Sequence, residues 1–412
     1  MIRIAEVVFS GYPNDPRPRR EAQALRDAGM EVDFYCLLRE NQVKKEKVDG
    51  MNIHRFNIAK KRTGKFRYIF QYVYFTALVF FLITFKHLKR KYDVVHVHNM
   101  PDALVFSALI LKLTGTKVIL DLHDPMPELF ETKYKIQSNH PLIKTVKFFE
   151  KRSIKFADLV LTPNLSFKNL FVSRGCPENK IHIVMNSPQE NIFLNDKIIK
   201  QVKSREENQK FVFMFHGIVV ERHGLDTAVE ALQLLTEKGY NIEFKVFGPG
   251  EYTDKFLKLV KELNLENVVN FIGKVKIERI AEEIAGIDLG IIPNKMGPFT
   301  NINFPTRIFE YLCLHKPVVV PRTKGITDYF GDDEIYYFNP GDPVDLAGTL
   351  ENFINNKDKA KTITEAGYKI YAQHTWKKES ENLVRLTLHL LNNKSEKILV
   401  EENNKKLNYS NE

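Results

Sequence analysis

Residues 211–232 read FVFMFHGIVVERHGLDTAVEAL and contain the change of pattern on which the fold prediction depends. An apolar run ends at His216, a loop with a glycine follows, and a helical pattern begins near Leu225. Glycine lets a backbone approach a ligand closely, and a helix N-terminus presents free N–H groups to an anion. With Arg222 and His223 in the loop, the stretch predicts a diphosphate site. The alternative is that Arg222 is a solvated loop cation.

Two later stretches repeat this plan of strand, loop and helix. Residues 247–250 (FGPG) form a tight turn after the next apolar run, and residues 301–320 read NINFPTRIFEYLCLHKPVVV. Thr306 and Arg307 stand where a helix begins, a position that favours a phosphate. Glu310 lies one turn further along, where it could accept hydrogen bonds from sugar hydroxyls or simply complement the helix dipole. Ligands of open α/β sheets bind at the carboxyl edge, so the three stretches are expected to gather there.

The whole chain alternates short apolar runs with longer helical patterns, which predicts an α/β fold. Many of the runs are rich in Val and Ile rather than alternating with polar residues, as in parallel sheets covered on both faces. The pattern restarts in the second half, so we expect two tandem Rossmann-like doubly wound parallel-sheet domains. The predicted division is a first domain at 1–187, a second at 188–372, a helix at 373–395 that returns to the first domain, and a flexible polar tail at 396–412. Residues 196–209 are polar and predict a linker.

The charge of the chain is divided unevenly. Its 412 residues contain 61 Lys and Arg against 51 Asp and Glu, a net charge of +10. Residues 1–188 hold 31 basic and 18 acidic residues, whereas residues 189–412 hold 30 and 33. A basic half can serve phosphate-bearing substrates, nucleic acid or an anionic membrane, or can serve solubility alone. Three scattered cysteines, Cys36, Cys176 and Cys313, exclude a disulfide framework and fit a reducing compartment.

Residues 69–85 form a run of 17 positions without a charged side chain, the lower edge of a membrane span. Basic residues flank the run on both sides. A span, an interfacial helix and a buried core helix are the three alternatives. The strand patterns on either side predict one sheet, which disfavours a span. We therefore expect a partly buried helix with aromatic side chains and basic ends near lipid.

Taken in order and spacing, the three motifs of the second half resemble the retaining GT-B glycosyltransferases of glycosyltransferase family 4. That family typically shows a glycine loop with Lys-Gly-Leu-Asp, then Gly-x-Gly, then a Glu-x7-Glu motif followed by Gly-Lys-Pro-Val-Val. The first half agrees with this resemblance in three stretches: residues 12–22, residues 93–102 and residues 121–128. The resemblance extends over residues 3–391.

The resemblance implies a GT-B architecture, with two domains facing a central cleft, and a retaining glycosyltransferase. The enzyme would move a sugar from a nucleotide diphosphate sugar to a lipid-linked or polysaccharide-precursor acceptor, with no cofactor and no metal site. The chain contains no Asp-x-Asp triplet, the usual marker of a metal-dependent glycosyltransferase. The resemblance assigns catalytic roles to His123, Arg222 and Glu310, with His123 beside the donor sugar. The donor-binding residues it implies are Gly11, Gly217, His223, Gly248, Gly273, Lys274, Val275, Asn303, Phe304, Pro305, Thr306 and Arg307.

The sequence departs from the family pattern at three positions. Ile218 and His223 replace the usual Arg and Lys of the glycine loop, so Arg222 is assigned to the diphosphate with His223 second. Ile302 replaces the first Glu of the Glu-x7-Glu motif, and Asn301 or Asn303 is expected to substitute for it. A nucleotide-sugar epimerase of the same fold and a nucleotide-sugar-binding protein without catalysis therefore remain alternatives.

The acceptor and membrane side is predicted on the basic first domain. We expect peripheral contact with an anionic membrane on the inner face of the plasma membrane, in the cytoplasm, and no nucleic acid as partner, because no nucleic-acid-binding signature is present. His96 and His98 lie on one face of a strand, where packing is preferred over metal binding because no third ligand is evident. The basic residues assigned to the acceptor or membrane are Arg17, Arg19, Arg20, Lys61, Arg62 and Arg67.

Overall fold

The computed structural model describes residues 1–58, 65–203 and 210–392, which divide into two compact units. The first unit comprises Met1–Glu131, Lys135–Val184 and the chain from Ser380 onward. The second comprises Thr132–Tyr134 and Met185–Glu379. The division after Val184 lies three residues before the predicted boundary at 187. The predicted tail at 396–412 lies outside the described residues.

The first unit contains, within the described residues, an eight-stranded sheet in the order β3-β4-β2-β1-β5-β6-β7-β8. The strands are β1 (Arg3–Val7), β2 (Glu31–Leu37), β3 (Lys45–Val48), β4 (Met51–Phe56), β5 (Val94–His98), β6 (Lys117–Asp121), β7 (Leu159–Thr162) and β8 (Ile181–Ile183). The edge strand β3, which the sequence analysis missed, pairs antiparallel with β4, and all other pairs are parallel. The helices that begin in this unit are α1 (Pro16–Asp27), α2 (Lys65–Lys89), α3 (Leu109–Leu113), α4 (Met126–Tyr134), α5 (Pro141–Phe156) and α6 (Leu165–Ser173).

The second unit contains a parallel six-stranded sheet, counted over the described residues, in the order β11-β10-β9-β12-β13-β14. Its strands are β9 (Phe211–His216), β10 (Ile242–Phe247), β11 (Val269–Gly273), β12 (Leu289–Ile291), β13 (Val318–Pro321) and β14 (Tyr336–Phe338). Its helices are α7 (Glu190–Phe193), α8 (Asp196–Lys203), α9 (Leu225–Glu237), α10 (Thr253–Glu262), α11 (Ile277–Ala285), α12 (Arg307–Leu312), α13 (Lys324–Thr327), α14 (Pro343–Asn355), α15 (Lys357–Tyr371) and the first part of α16 (Trp376–Asn392). The linker prediction was wrong for Asp196–Lys203, which form α8; the rest of that stretch lies outside the described residues.

Both sheets are doubly wound, and their strand orders show where a ligand can bind. In the first sheet β1 lies between β2 and β5, and in the second β9 lies between β10 and β12. The chain reverses its direction of winding at these two points. Open α/β sheets bind ligands beside such points, outside the carboxyl ends of the strands. The glycine loop after β9 therefore lies at the expected binding edge of the second sheet.

Helix α2 contains the apolar run and is a crossover between two strands of the first sheet. Its segment Phe70–Lys89 is long and apolar enough to cross a membrane by length and composition. Phe75, Val79 and Ile83, spaced four residues apart, are nevertheless fully buried, and the Phe75 ring lies 5.1 Å from that of Phe9. The flanking strands β4 and β5 belong to one sheet, separated by β2 and β1. Helix α2 therefore packs one of its faces on the first sheet, within the first unit.

The C-terminal helix α16 begins in the second unit and continues into the first. Leu383 and Leu386 are buried in the core of the first unit, in one cluster with Ile4, Val94 and Ile119 of its central strands. The apolar positions of this helix therefore complete a core built from residues more than 260 positions earlier in the chain.

Candidate active site

Three glycines end three neighbouring strands of the second sheet. The N–H of Gly217 donates to the carbonyl of Phe247 (2.9 Å), and the N–H of Gly248 donates to the carbonyl of Gly273 (2.8 Å). Their φ angles of 138°, 122° and 78° for Gly217, Gly248 and Gly273 lie in the region that favours glycine. A Cβ on Gly248 would stand 1.8 Å from the carbonyl oxygen of Gly217. At the ends of β9, β10 and β11 the carboxyl edge therefore presents backbone atoms without side chains.

Two arginines lie beside this glycine edge. Arg222 is in a short 3₁₀ turn, Glu221–His223, and Arg307 is the first residue of α12. Arg307 Nη1 donates to the carbonyl of His216 (2.8 Å), and its guanidinium lies 4.7 Å from the Phe215 ring centre. Burial, together with the positive charge of Arg222, lowers the pKa of Arg307 to about 10. The positive charge of Arg222 disfavours that of Arg307, so an anion placed near both is favoured.

His223 holds the glycine loop through one of its ring nitrogens. Its Nδ1 lies 2.6 Å from the carbonyl oxygen of Ile218, so Nδ1 carries the hydrogen. Burial and the charges of Arg307 and Arg222 lower the pKa of His223 to about 3. His223 is therefore neutral at pH 7 and braces the loop, whereas Arg307 is charged; the role of His223 at the diphosphate stays a prediction.

Glu310 is held in place by His216, the last residue of β9. The two side chains approach to 2.5 Å between His216 Nε2 and Glu310 Oε2. His216 Nδ1 lies 2.9 Å from the hydroxyl of Tyr311, which donates to the carbonyl of Met214 at 2.9 Å. Among the described residues, Glu310 Oε1 makes no hydrogen bond, and the side chain is 15% exposed. The free oxygen can therefore receive a hydroxyl group.

The loop before α12 is fixed largely by packing. Phe304 is buried, with its ring 4.9 Å from that of Phe309. Asn301 Oδ1 accepts a hydrogen bond from the N–H of Lys324 (3.1 Å), so the Asn301 side chain braces a neighbouring loop. The side chain of Asn303 makes no hydrogen bond to any described residue, which leaves Asn303 the better candidate to replace the missing glutamate at Ile302.

The remaining donor-side predictions occupy backbone positions near these groups. Pro305 is buried, and Thr306 caps α12, where its carbonyl accepts the N–H groups of Phe309 (3.0 Å) and Glu310 (3.2 Å). Lys274 is exposed and Val275 is half-buried, in the loop that follows β11. The structure thus brings the predicted residues of the second unit to one edge of its sheet.

In the first unit, Gly11 follows β1 in the turn that leads to α1. Its carbonyl accepts hydrogen bonds from the N–H groups of Asn14 (3.0 Å) and Asp15 (3.2 Å). Gly11 is buried against the side chain of Arg39, whose Nε a Cβ on Gly11 would approach to 2.6 Å. It therefore lies at the carboxyl edge of the first sheet.

Arg17 and Arg20 are not surface cations, which corrects the prediction that they meet an acceptor or a membrane. Arg17 is 4% exposed and Arg20 5% exposed. Arg17 donates from Nε and Nη2 to both oxygens of Asp121 (2.8 and 2.7 Å) and from Nη1 to the carbonyl of Val184 (2.8 Å). Its charge thus neutralises a buried carboxylate. Arg19 is half-buried.

His123 stands at the rim of the same buried network. Its Nε2 lies 2.8 Å from Asp121 Oδ2, and its N–H donates to Asn99 Oδ1 (2.9 Å). Burial lowers the pKa of His123 although Asp121 opposes the shift. The neutral ring then carries its hydrogen on Nε2. Nδ1, which makes no hydrogen bond within the described residues, is left as an acceptor on a side chain that is 16% exposed.

In the buried network that His123 adjoins, carboxylate and imidazole groups alternate along the contacts. His98 Nε2 lies 2.7 Å from Glu6 Oε2, and His98 Nδ1 lies 3.1 Å from Asp121 Oδ2. Burial alone would lower the pKa of His98, but the bonds to Asp121 and Glu6 outweigh it and raise the pKa to about 10. Burial raises the pKa of Glu21 to about 8, against the charge of Arg17. The network is therefore close to electrically balanced.

Comparison with known proteins agrees with this arrangement. The family model "Glycosyl transferases group 1" matches residues 196–370, and the model "Glycosyl transferase 4-like domain" matches residues 16–187. An uncharacterized glycosyltransferase of Methanocaldococcus jannaschii is 21% identical over 355 residues, which are 80% of this chain and 92% of that protein. The capsular polysaccharide biosynthesis glycosyltransferase CapM of Staphylococcus aureus is 24% identical over 242 residues, 55% of this chain and 61% of CapM.

A solved structure, that of Anabaena Alr3699/HepE in complex with UDP and glucose, has a TM-score of 0.70 at 16% identity, covering 95% of this chain and 100% of that one. The chain belongs to the GT-B glycosyltransferases of family 4. The predictions of family and fold class are thus confirmed.

Sequence reasoning missed several residues of this glycosyltransferase. His216 was noted only as the end of a strand, although it fixes Glu310. Glu6 and Glu21 were missed as members of the buried network. A signal was present for Glu6, because a charged residue in the middle of the apolar strand Arg3–Val7 requires a buried partner. No local signal existed for Glu21, whose helix contains many charged residues.

Three membrane-side predictions for the glycosyltransferase fall on stretches about which little is described. Lys61 and Arg62 lie outside the described residues. Arg67 lies in the first turns of α2, and only its backbone is described. Their roles stay predictions.

Proposed function

We propose that this glycosyltransferase transfers a sugar from a nucleotide diphosphate sugar to a lipid-linked or polysaccharide-precursor acceptor, with retention of the anomeric configuration. The proposal of a nucleotide diphosphate sugar as donor rests on the groups at the carboxyl edge of the second sheet. Bare glycine backbone, two arginines and a fixed glutamate meet there. The UDP and glucose named in the Anabaena structure support the choice of donor class.

Each group at this edge has a role that its chemistry supports. The diphosphate would approach the backbone at Gly217 and Gly248 and receive positive charge from Arg222 and Arg307. Glu310 Oε1 would accept a hydrogen bond from a ribose hydroxyl, while His216 holds Oε2. The carbonyl of His216 holds Arg307 in place before the reaction, and both arginines would stabilise the charge that develops on the leaving diphosphate.

A front-face displacement fits these groups without an enzymatic nucleophile. The bond between the anomeric carbon and the phosphate oxygen breaks, and the acceptor oxygen bonds to the same face of that carbon. The acceptor's hydroxyl proton passes to the leaving phosphate oxygen. His123, with Nε2–H directed to Asp121, would have Nδ1 available to accept a hydrogen bond from a substrate hydroxyl and so orient it.

The activity test is release of nucleoside diphosphate from a panel of nucleotide sugars, with product configuration read by NMR. Arg222→Ala should lower turnover by about 100-fold or more, as the loss of transition-state charge stabilisation does. Glu310→Ala should lower the rate at limiting donor by about 10- to 100-fold, because it removes the charge-assisted hydrogen bond to the ribose. Arg279→Ala, an exposed arginine on α11, is the control. Wild-type rates in both site variants would contradict the site. Sugar conversion without an acceptor would indicate an epimerase, and nucleotide binding without turnover a binding protein.

We further propose that the first unit meets the cytoplasmic face of an anionic membrane through α2, α3 and α5. The 3₁₀ helix Asp102–Ala108 contacts both α2 and α5, so the three helices are neighbours. All three expose large apolar side chains, and neighbouring exposed apolar side chains favour an interaction site. The exposed residues are Phe70, Val73, Tyr74, Phe81, Phe85 and Leu88 of α2, Leu109 and Leu113 of α3, and Phe148 and Phe149 of α5.

Basic side chains lie among these aromatic residues. Phe106, Phe148, Phe149 and Phe156 line an open groove together with Lys112, Arg152 and Lys155. Cationic groups beside aromatic rings at a water–lipid boundary favour anionic lipid headgroups. The relative CapM, named for capsular polysaccharide biosynthesis, supports a cell-surface polysaccharide precursor as acceptor.

Sedimentation with vesicles tests the membrane proposal. The purified chain should bind vesicles containing anionic lipid and bind neutral vesicles weakly. Phe81→Ser with Phe85→Ser should weaken binding by about 100-fold or more, since the burial of each exposed ring would stabilise the bound state by about 1.5–3 kcal/mol. Leu257→Ser with Val344→Ser, exposed on the second unit, is the control. Equal binding of all variants, or binding without lipid dependence, would contradict it.

A further inference from the structure

Four buried side chains of the first unit point their polar atoms at one another. They are Glu21 of α1, His96 and His98 of β5, and Asp121 of β6. Each offers one nitrogen or oxygen atom, and these four atoms lie within 4.8 Å of one another. All four side chains are fully buried. Two imidazoles and two carboxylates are a set that zinc and similar divalent metal ions bind.

Several atoms of this set make no hydrogen bond. His96 Nε2 and both oxygens of Glu21 have no hydrogen-bond partner among the described residues. Glu21 Oε1 lies 3.1 Å from Arg17 Nη2, with which it forms an ion pair. Buried polar atoms are nearly always satisfied, so these atoms require an explanation.

The spacing between the atoms fits a cation among them. Glu21 Oε2 lies 3.7 Å from His96 Nε2 and 3.8 Å from His98 Nδ1, too far for hydrogen bonds. Two ligands of a tetrahedral zinc ion at about 2.0–2.2 Å stand about 3.4 Å apart. Movements of a few tenths of an ångström would therefore bring these atoms to ligand distance.

Glu6 orients both histidines from the other side. Its Oε1 lies 3.1 Å from His96 Nδ1 and its Oε2 lies 2.7 Å from His98 Nε2. Each imidazole thus binds the Glu6 carboxylate through one nitrogen and directs the other nitrogen into the cluster. Metal-binding histidines are held by a carboxylate in this manner.

The formal charges are also consistent with a divalent ion. When an ion is bound its ligands are deprotonated, so both imidazoles are neutral and the charged groups that face the cluster are the carboxylates of Glu6, Glu21 and Asp121 and the guanidinium of Arg17. His123 adds a neutral imidazole beside Asp121. Three negative charges, one positive charge and a divalent cation sum to zero, which a buried site requires.

We propose that Glu21, His96, His98 and Asp121 bind one divalent transition-metal ion with the ligand preferences of zinc. The ion joins α1, β5 and β6 below His123 and has a positioning role, because Asp121 also contacts His123. The site lies in the first unit, apart from the arginines proposed to hold the donor diphosphate, so it leaves the donor proposal unchanged.

The test measures metal bound by the full-length chain. The chain is treated with a chelator, dialysed, supplied with Zn²⁺ and analysed by mass spectrometry of the metal. We expect one zinc per chain and a visible absorption band typical of tetrahedral Co²⁺ after cobalt loading. His96→Gln and, independently, Glu21→Gln should weaken binding about 10- to 100-fold or more. His182→Gln, a histidine of β8 outside the cluster, is the control.

Three results would overturn the proposal. The first is a wild-type chain that retains no zinc and shows no cobalt band. The second is zinc retained equally by the wild type and by the folded His96→Gln and Glu21→Gln variants, which would place the metal elsewhere. The third is zinc bound without any rise in thermal unfolding temperature, because an ion joining three elements of the fold must stabilise it.

Discussion

The carboxyl edges of the two sheets carry different functional groups. The carboxyl edge of the first sheet carries Glu6, His98 and Asp121, with Arg17 inserted among them. The second edge is glycine backbone flanked by Arg222 and Arg307. The net charges of the two halves show the opposite trend. The first half of the chain is basic, and the second is slightly acidic. Net charge therefore describes the surface, whereas the buried groups decide what each edge can bind.

Two histidines show the difference most directly. Without a bound cation, the carboxylates around His98 outweigh its burial and raise its pKa to about 10. Burial and two arginines lower the pKa of His223 to about 3. An environment that favours a charged imidazole is suited to cations, and one that disfavours it is suited to anions. The first edge is therefore cation-binding in character and the second anion-binding.

The largest expected effect is the loss of unfolding free energy when the guanidinium of Arg17 is removed from the first edge. Arg17→Met would leave the carboxylates of Asp121 and Glu21 buried without their ion pair. Breaking a buried pair costs about 3–5 kcal/mol of unfolding free energy. Arg90→Met, which removes an exposed ion pair with Glu31, should cost about 0–1 kcal/mol. Urea unfolding with chelator present measures both, and equal losses would show that the first edge is not held by charge.

The next effect concerns the backbone of the second edge. Gly248→Ala would place a Cβ 1.8 Å from the carbonyl oxygen of Gly217, at a φ of 122°. We expect a loss of about 2 kcal/mol or more in unfolding free energy and loss of nucleotide binding. Gly348→Ala in α14 meets no atom within 4 Å and should stabilise the chain by about 0.5–1 kcal/mol. Thermal unfolding with and without nucleotide separates the two variants. Unchanged nucleotide binding in Gly248→Ala would contradict the backbone site.

The smallest effect is the pH dependence contributed by His223. Its pKa in the folded chain is about 3, below the ordinary value of 6.5, so between these values the unfolded chain binds a proton that the folded chain does not. Stability therefore falls as the pH falls through this window. Wild type should lose more stability than His223→Gln between pH 7 and pH 5, as measured by urea unfolding at each pH. Parallel losses would show that folding does not lower the pKa of His223.

The sequence predicted the second edge better than the first for a physical reason. Gly217, Arg222 and Glu310 lie in stretches where strand, loop and helix follow one another, so local pattern indicates their position. The network of the first edge joins Glu6, Arg17 and Asp121 from separate elements, and such contacts depend on the tertiary fold. The prediction of Arg17 as a surface cation was wrong because an arginine in a charged helix carries no local sign of its buried partner.

Isothermal titration with nucleoside diphosphates tests the central claim most directly, namely that the second edge binds the donor diphosphate. One nucleoside diphosphate of a panel should bind the full-length chain. Arg222→Ala should weaken that binding about 10- to 100-fold, the loss of a charge-assisted contact of about 1.5–3 kcal/mol. Arg279→Ala should leave it unchanged. Equal affinity in wild type and Arg222→Ala, or no binding by any member of the panel, would contradict the account.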